Sequence, residues 1–189
     1  MLIDGLMGKN YLHYLKPSVE DISYNTCFNT SGIDRKENEP WTFSFSSCIY
    51  NENGDKQGCA DFIFNILLTA LDRQNQELLH LSRIRLGLIF RTPTVINHGE
   101  HLDFGDDFYI NNKSKCRTGL YYINDSDGDT NVYKEKFSPL SIPEKFTLKK
   151  SISPVENRWY DFNGERYHNS NSPIENNYRL VLTFNYTIK

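Results

Sequence analysis

The sequence has no hydrophobic run long enough to cross a membrane. Its longest apolar stretch, residues 62–71, is interrupted by Asn65 and is far shorter than the roughly 20 residues of a membrane-spanning helix. The first 16 residues contain no apolar core of the length found in signal peptides. We therefore expect a soluble protein of the cytoplasm without a membrane partner.

Cysteines are few, and their spacing excludes two kinds of site. Cys27, Cys48, Cys59 and Cys116 lie too far apart in the sequence to form a CxxC metal knuckle or a redox pair. In a reducing compartment such residues are expected to be free thiols.

Neither sign of charge dominates the chain. Residues 113–150 carry eight basic against five acidic side chains, whereas residues 1–60 carry five against eight. This gradient is much weaker than the basic surface of a nucleic-acid-binding protein. A nucleic-acid partner is therefore not expected.

Tyrosine and phenylalanine are abundant instead, with 12 of each. These residues favour the half-buried surfaces of β-sheets, so the composition predicts a mainly β protein. A length of 189 residues fits a single domain that can fold without disulfides or a partner chain. We divide this domain into a variable N-terminal part, residues 1–80, and a core of strands, residues 81–189.

The periodicity of the apolar residues indicates one helix followed by short strands. Residues 60–80 repeat apolar side chains at helical spacing, which predicts an amphipathic helix packed on a sheet. A period of two over residues 41–50 predicts an early strand. The later strands have a spacing typical of a sandwich, barrel or jelly roll. They are predicted at residues 83–91, 116–124, 130–133, 146–153, 158–162 and 178–188.

The acidic segment 124–129 joins two of these strands. Its run of Asn, Asp, Ser and Gly predicts a tight hairpin loop. The same acidic residues resemble a calcium-binding loop, but the glutamate that such a loop requires at its end is absent. The turn is therefore the preferred interpretation.

His101 and Asp103 are the first candidate metal ligands. Residues two apart in an extended strand project from the same face, so both side chains can reach one ion. His168 is available as a third ligand if antiparallel strands return it beside the first two. Two histidines and one carboxylate leave the opposite positions of a metal open, as non-haem iron(II) oxygenases require. Metal bonds of about 2.0–2.2 Å would place the three ligand atoms within about 4 Å of one another.

Arg179 lies eleven residues after His168, at the start of an alternating strand. Its side chain is expected on the same face as Val181 and Thr183. The planar fork of a guanidinium at that place suits a bidentate grip on a carboxylate. The alternative is an ordinary charge on an edge strand.

Taken together and in this order, these residues make the chain between residues 80 and 187 resemble the catalytic core of the 2-oxoglutarate- and iron(II)-dependent dioxygenases. The likeness is to the prolyl-hydroxylase-like branch, including its small bacteriophage members. It rests on His101, Asp103, segments 118–130 and 153–162, His168 and Arg179. The family fold is a double-stranded β-helix, a jelly roll packed on supporting α-helices, and we expect that fold here.

The resemblance implies both a metal and a cosubstrate. Iron(II) would be bound by His101, Asp103 and His168. The cosubstrate 2-oxoglutarate would be held by Arg179 and Tyr122, with Thr118 also facing it. Strand alternation is consistent with this, since Thr118 and Tyr122 share one face.

The resemblance also implies a reaction. Oxygen and 2-oxoglutarate would yield succinate and carbon dioxide, and a hydroxyl group would be placed on a C–H bond of a peptide, prolyl residues included, or of a small molecule. Asp103 favours hydroxylation over halogenation, because related halogenases lack that carboxylate. If the protein is encoded by a phage, it would act in the cytoplasm of the host cell.

Two features depart from the family pattern. The loop of residues 104–115 is longer than usual, and His98 and Glu100 form a competing pair with the same spacing as His101 and Asp103. We prefer the latter pair because the family has a phenylalanine after its aspartate and because residues 97–99 have the composition of a loop. His98 is then expected to point away from the metal.

Two other classes of protein are compatible with parts of this pattern. One is a jelly-roll binding or structural module in which the histidines have no catalytic role. The other is a zinc hydrolase that uses His98, His101 and His168, although the helical HExxH spacing typical of such enzymes is absent.

Overall fold

The computed structural model describes residues 1–20, 27–29, 44–54, 56–112 and 115–189. Most of its elements are strands, which confirms the prediction of a mainly β protein. In chain order the elements are β1 (Leu2–Ile3), α1 (Lys9–Glu20), β2 (Cys27–Asn29), β3 (Ser44–Asn51), α2 (Ala60–Gln74), β4 (Leu78–Phe90), α3 (Asp106–Asn111), β5 (Cys116–Tyr122), β6 (Thr130–Lys136), β7 (Leu148–Ile152), β8 (Arg158–Asn163), β9 (Arg166–Ser170) and β10 (Tyr178–Ile188).

The strands form two antiparallel sheets. The larger sheet has the order β1-β8-β5-β10-β4-β3-β2, and the smaller sheet has the order β7-β6-β9. Within the larger sheet β10 lies between β4 and β5, so Thr183 pairs with Arg85 on one side and with Leu120 on the other. Because directly paired residues project from the same face, this register gathers side chains of neighbouring strands on one surface.

Buried apolar side chains lie between the two sheets. They come from β5, β8 and β10 of the larger sheet and from β6 and β7 of the smaller one. The cluster consists of Leu120, Tyr122, Val132, Ile152, Tyr160, Phe162 and Val181. Burying a side chain of this size contributes about 1.5–3 kcal/mol, so the cluster holds the two sheets together.

A second apolar cluster lies on the other face of the larger sheet. It includes Leu15 of α1, Ile66 and Leu67 of α2, and Leu182 and Phe184 of β10. The two helices also contact each other, since the rings of Tyr11 and Phe62 stack with their centroids 4.3 Å apart. The larger sheet therefore has an apolar face toward the helices and a partly polar face toward the smaller sheet.

The helical elements differ from those predicted. α2 ends at Gln74 and not at residue 80, because Asn75 adopts the left-handed conformation (φ 51°, ψ 43°) and its N–H bonds to the Asp72 carbonyl. α1 was not predicted at all. It contains Pro17, which removes a backbone donor, and burial of its apolar side chains compensates for that loss.

Segment 124–129 is not a hairpin loop, which corrects the prediction made from its composition. It connects β5 of the larger sheet to β6 of the smaller one, so the two strands that it joins do not pair. The carboxylate of Asp127 instead accepts hydrogen bonds from the backbone N–H groups of Ile174, Glu175 and Asn176. Although slight burial opposes it, these bonds hold the pKa of Asp127 below its usual value.

The strands predicted between residues 116 and 162 agree with the structure to within two or three residues at each end, and β10 has the predicted bounds, whereas β4 begins five residues before the predicted start at residue 83. Of the early strand predicted at residues 41–50, positions 44–50 lie in β3 and positions 41–43 fall outside the described residues. Cys48, Cys59 and Cys116 are free thiols, and the side chain of Cys27 is not among those described. No helix in the described part of the chain is long and apolar enough to cross a membrane.

Candidate metal centre and its cavity

His101 and His168 are brought together by a short backbone pairing. The N–H of His101 donates to the carbonyl of His168 at 2.9 Å, and the N–H of His168 donates back to the carbonyl of His101 at 3.1 Å. His168 lies in β9 of the smaller sheet, and the segment around His101 extends that sheet by this isolated bridge. The pairing places residues 67 positions apart in sequence side by side.

Asp103 completes the group. One ligand atom from each of His101, Asp103 and His168 lies within 4.8 Å of the other two. Nε2 of His168 is 3.6 Å from Oδ2 of Asp103, and the two imidazole rings have centroids 4.5 Å apart. The spread is slightly wider than the 4 Å expected from the sequence. The three side chains nonetheless converge on one point.

Backbone carbonyls orient both imidazoles. Nδ1 of His101 lies 3.1 Å from the carbonyl oxygen of Gly99, and Nδ1 of His168 lies 3.1 Å from that of Arg166. A carbonyl can only accept, so each Nδ1 carries a proton, and Nε2 is the nitrogen left for a metal. Burial and the proximity of His168 also lower the pKa of His101 to about 3. Both rings thus present the tautomer that a metal requires.

Three polar side chains hold the carboxylate of Asp103. Oδ2 accepts hydrogen bonds from Thr118 Oγ1 at 2.9 Å and from Asn185 Nδ2 at 2.8 Å. Arg83 Nη2 lies 3.2 Å from Oδ1 and also bonds to the backbone carbonyl of Asp103. The side chain of Asp103 is only 2% exposed. Burial alone would raise its pKa, but the neighbouring His168 and arginines hold that pKa well below the usual value.

The two histidines face a cavity of about 430 Å³ between the sheets, within the roughly 300–1,000 Å³ range of small-molecule sites. Both apolar and polar side chains line it. From the larger sheet come Ser44, Phe45, Ser46, Arg85, Gly87, Leu88, Ile89, Leu120, Arg179, Val181 and Thr183, and from the smaller sheet and its extension come His98, His101, Thr130, His168, Asn169 and Ser170.

Arg179 projects into this cavity from β10, on the same face as Val181 and Thr183, as predicted. It is 3% exposed, and its Nη2 donates to Oγ1 of Thr130 at 2.7 Å. The hydroxyl of Tyr122 donates to the same oxygen at 2.9 Å. Thr130 was not singled out in the sequence, where nothing distinguishes it from other threonines.

Thr118 occupies a different place from the one that the resemblance implied. It was expected to face the cosubstrate, but its hydroxyl is bonded to Asp103 and its side chain is buried among the groups that hold that carboxylate. Arg83 and Asn185, which share this task, were also not identified from the sequence. Arg83, Asn185 and Thr118 lie side by side on three neighbouring strands, and only the strand pairing shows this alignment.

The competing pair divides between two environments. Glu100 accepts hydrogen bonds from Tyr133 and Asn169 and does not belong to the metal-binding group. His98 also lies outside that group, but it does not point away as predicted, because it lines the cavity. Gly99, between the two histidines, has a φ of +48°. This left-handed backbone interrupts strand alternation, so His98 and His101 face the same space.

The cavity contains buried donors without partners. Among the described residues, seven buried side-chain polar atoms have no hydrogen-bond partner, and three of them belong to residues that line this cavity: Arg85 Nε, His98 Nε2 and Arg179 Nε. Buried polar groups are normally satisfied. Each of these atoms is itself enclosed by protein, so what the cavity offers a ligand is the rest of the Arg85 and Arg179 guanidinium groups, and these cationic side chains would favour an anion.

Comparison with protein-family models finds no match, and neither does comparison with curated proteins. Solved structures do match. A prolyl hydroxylase of Trichoplax adhaerens, in complex with a peptide of the hypoxia inducible factor oxygen degradation domain, has 15% identity and a TM-score of 0.62 over 99% of this chain and 82% of its own. A 2OG-Fe(II) oxygenase family oxidoreductase of Burkholderia pseudomallei has 13% identity and a TM-score of 0.63, covering 99% and 84%.

A third similar structure contains ligands. HygX of Streptomyces hygroscopicus, with nickel, 2-oxoglutarate and hygromycin B bound, has 16% identity and a TM-score of 0.61 over 99% of this chain and 82% of its own. Similarity at this level of identity establishes the fold. The chain therefore has the jelly-roll fold seen in 2-oxoglutarate- and iron(II)-dependent oxygenases, together with a His-Asp-His group whose two histidines line the cavity.

Proposed function

We propose that the protein is an iron(II)- and 2-oxoglutarate-dependent oxygenase, with His101, Asp103 and His168 as the metal ligands. The observation that carries the proposal is the shared cavity. The two histidines of the metal-binding group and the buried cation Arg179 line the same cavity. A cosubstrate that chelates a metal at one end and carries a carboxylate at the other needs both features at once.

The donor set fits iron(II). Two neutral imidazoles and one carboxylate are the ligands of the non-haem iron oxygenases, and they leave positions open for exchangeable groups. Asp103 is kept ionised and oriented by Arg83, Thr118 and Asn185. When bound, iron(II) would supply the oxygen chemistry that no side chain can perform. The protein contributes the geometry of the ligands and the cavity beside them.

We propose that Arg179 binds the far carboxylate of 2-oxoglutarate. Its Nη2 is fixed by Thr130, and its Nε is buried without a partner. Thr130 is positioned to assist, because its oxygen already accepts from Arg179 and from Tyr122. A hydroxyl has one hydrogen to donate, so that hydrogen is free for a carboxylate in the cavity. In this arrangement Tyr122 orients Thr130 and does not itself line the cavity.

The proposed reaction consumes oxygen and 2-oxoglutarate, releases succinate and carbon dioxide, and hydroxylates a C–H bond of the substrate. The presence of Asp103 supports hydroxylation over halogenation. A peptide and a small molecule are both reasonable substrate classes, since one similar structure holds a peptide and another holds hygromycin B. We also propose that residues 1–189 act as one domain, because β1 pairs with β8 and α1 packs into the shared core.

A two-stage measurement tests this proposal. Under nitrogen, the protein should bind iron(II) with one ion per chain, and 2-oxoglutarate should then bind to the iron-loaded protein. When oxygen is admitted, succinate should form in amounts that depend on both iron(II) and 2-oxoglutarate. Binding of neither would instead support a jelly-roll binding module without catalysis. Zinc-dependent hydrolysis without 2-oxoglutarate would support the hydrolase alternative.

A further inference from the structure

Arg85 is a second cation on the cavity wall, where it is half-buried, and the cosubstrate does not require it. It lies in β4, opposite Thr183 of β10 and opposite Cys48 of β3. The side chain lines the same space as Arg179 and the two histidines. Its Nε is fully enclosed and has no hydrogen-bond partner among the described residues. The two Nη atoms are neither enclosed in this way nor hydrogen-bonded to a described residue, so they are the donors that Arg85 can offer to a ligand in the cavity.

The other arginines of this surface are already engaged. Arg83, two residues earlier in β4, bonds to Asp103 and to Asn185. Arg179 bonds to Thr130. Burial lowers the pKa of Arg85, and the proximity of Asp103 opposes that effect. Asp103 already accepts three side-chain donors and does not bond to Arg85, so Arg85 lacks a carboxylate of its own.

Counting the charges of the proposed complex also leaves Arg85 without a counter-ion. The two charges of iron(II) and the one of Arg179 offset Asp103 and the two carboxylates of 2-oxoglutarate. Arg83, which is partly exposed, remains at the edge of the site. The charge of Arg85, which is half-buried on the cavity wall, has no ion-pair partner among the described residues, and a partly desolvated charge without a counter-ion is costly. A further anion would remove that cost.

The wall beside Arg85 leaves room for such a group. Ser44 and Ser46 of β3 and Gly87 of β4 line this part of the cavity. A Cβ at position 87 would meet only Val181, at an ordinary distance of 3.7 Å from its Cγ1. Packing therefore does not require glycine there, and its effect is to widen the cavity near the guanidinium.

From these observations we infer that the substrate of the oxygenase proposed above carries a carboxylate, and that Arg85 binds it while Arg179 binds the cosubstrate. The inference rests on the proposed function. Arg85 becomes a specificity-determining residue, because its planar fork can grip a carboxylate with two parallel hydrogen bonds. The preferred substrates are then small organic acids, or peptides whose acidic or terminal carboxylate lies near the carbon that is oxidised.

The test uses paired probes that differ only in charge. Nickel-loaded wild-type protein is first titrated with 2-oxoglutarate under nitrogen. The saturated complex is then titrated by calorimetry with a panel of N-acetyl amino acids and with the matching N-acetyl amino acid amides. We expect at least one acid to bind about tenfold or more tightly than its amide, as the loss of one charge-assisted contact predicts. This comparison does not depend on the folding of any variant.

Variants of the protein then test whether Arg85 is responsible for the preference for acids over amides. Arg85→Gln should abolish the preference for acids while changing the affinity for 2-oxoglutarate by less than about threefold, and Arg85→Lys should keep part of it. Arg91→Gln, an exposed arginine just after the same strand, is the matched control and should behave as wild type. Circular dichroism confirms that each variant is folded.

Three results would overturn the inference. The first is wild-type protein that binds acids no better than amides, including no binding of either up to about 10 mM. The second is a preference for acids that survives in folded Arg85→Gln. The third is an Arg85→Gln variant that loses 2-oxoglutarate as severely as Arg179→Gln, which would make Arg85 part of the cosubstrate site. Failure of the wild type to bind 2-oxoglutarate would instead contradict the proposed function.

Discussion

Nδ2 of Asn185 lies 2.8 Å from Oδ2 of Asp103, although the two residues are 82 positions apart in the sequence. Asn185 comes from the centre of the larger sheet, and Asp103 from the segment that follows the extension of the smaller sheet. The hydrogen bond therefore ties the two sheets together at the metal-binding group. It also fixes the rotation of the carboxylate, which determines the oxygen available to a metal.

Removal of this contact should weaken metal binding. Asn185→Ala eliminates a donor that orients Asp103 without touching any proposed ligand, and loss of such an outer contact typically costs about 10- to 100-fold in metal affinity. Competition with a chromogenic chelator measures the change. Thr187→Val, on the same strand but without a contact to Asp103, is the control and should bind metal as wild type does. Equal affinities in both variants would show that Arg83 and Thr118 suffice to orient the carboxylate.

Arg179→Leu should separate the binding of metal from that of cosubstrate. The substitution removes the proposed partner of the far carboxylate, and loss of one member of a buried charge pair costs on the order of 2–5 kcal/mol. The affinity for 2-oxoglutarate should fall by roughly thirty- to several-thousand-fold, while iron(II) binding persists. Arg179→Lys should recover only part of the affinity, because an ammonium group lacks the bidentate fork. An unchanged 2-oxoglutarate affinity in Arg179→Leu would assign this arginine a purely structural role.

Thr130→Val should affect both stability and cosubstrate affinity. The buried hydroxyl groups of Tyr122 and Thr130 and Nη2 of Arg179 form one chain of hydrogen bonds, and unpaired buried donors cost about 1–3 kcal/mol each. Urea unfolding should show a lower free energy of unfolding, and 2-oxoglutarate should bind more weakly. Thr130→Ser keeps the hydroxyl and should restore most of both quantities. If Thr130→Val lowered stability alone, Thr130 would be a structural support with no contact to the cosubstrate.

His98→Gln should leave metal affinity near the wild-type value. His98 lines the cavity but lies outside the group of converging ligand atoms. Burial, aided by the charge of Arg179, lowers the pKa of His98 to about 4. Near neutral pH the ring is therefore uncharged and does not repel a cation. His168→Gln is the matched comparison and should lose most metal binding. A parallel loss in both variants would support the three-histidine set of the hydrolase alternative.

The strand pattern and the pairing of His101 with Asp103 could be anticipated from the sequence, because both depend on local spacing. His168 lies 67 positions after His101, and its place beside them was implied only by the order of motifs in the family resemblance. His101 and Asp103 share a face by alternation, and β10 shows its apolar period over its whole length. The unpredicted features are long-range or conformational. The left-handed turn at Gly99 redirects His98, and Asn75 ends α2 where the apolar pattern continues.

The side chains that contact Asp103 are another long-range feature that could not be predicted from the sequence. Asp103 is the common acceptor for Arg83, Thr118 and Asn185. These residues lie on β4, β5 and β10, and only the register of the three strands shows that they meet. No spacing in the sequence encodes that register.

The most direct test of the account is oxygen labelling of the succinate formed from 2-oxoglutarate. Iron-loaded protein is supplied with 2-oxoglutarate and ¹⁸O₂, and the succinate is examined by mass spectrometry. If the site is the centre of an oxygenase, each succinate should carry one labelled oxygen atom, carbon dioxide should be released in equal amount, and the Asp103→Ala variant should form no succinate. Succinate without label, or equal turnover by Asp103→Ala, would contradict the assignment of this site as the centre of an oxygenase.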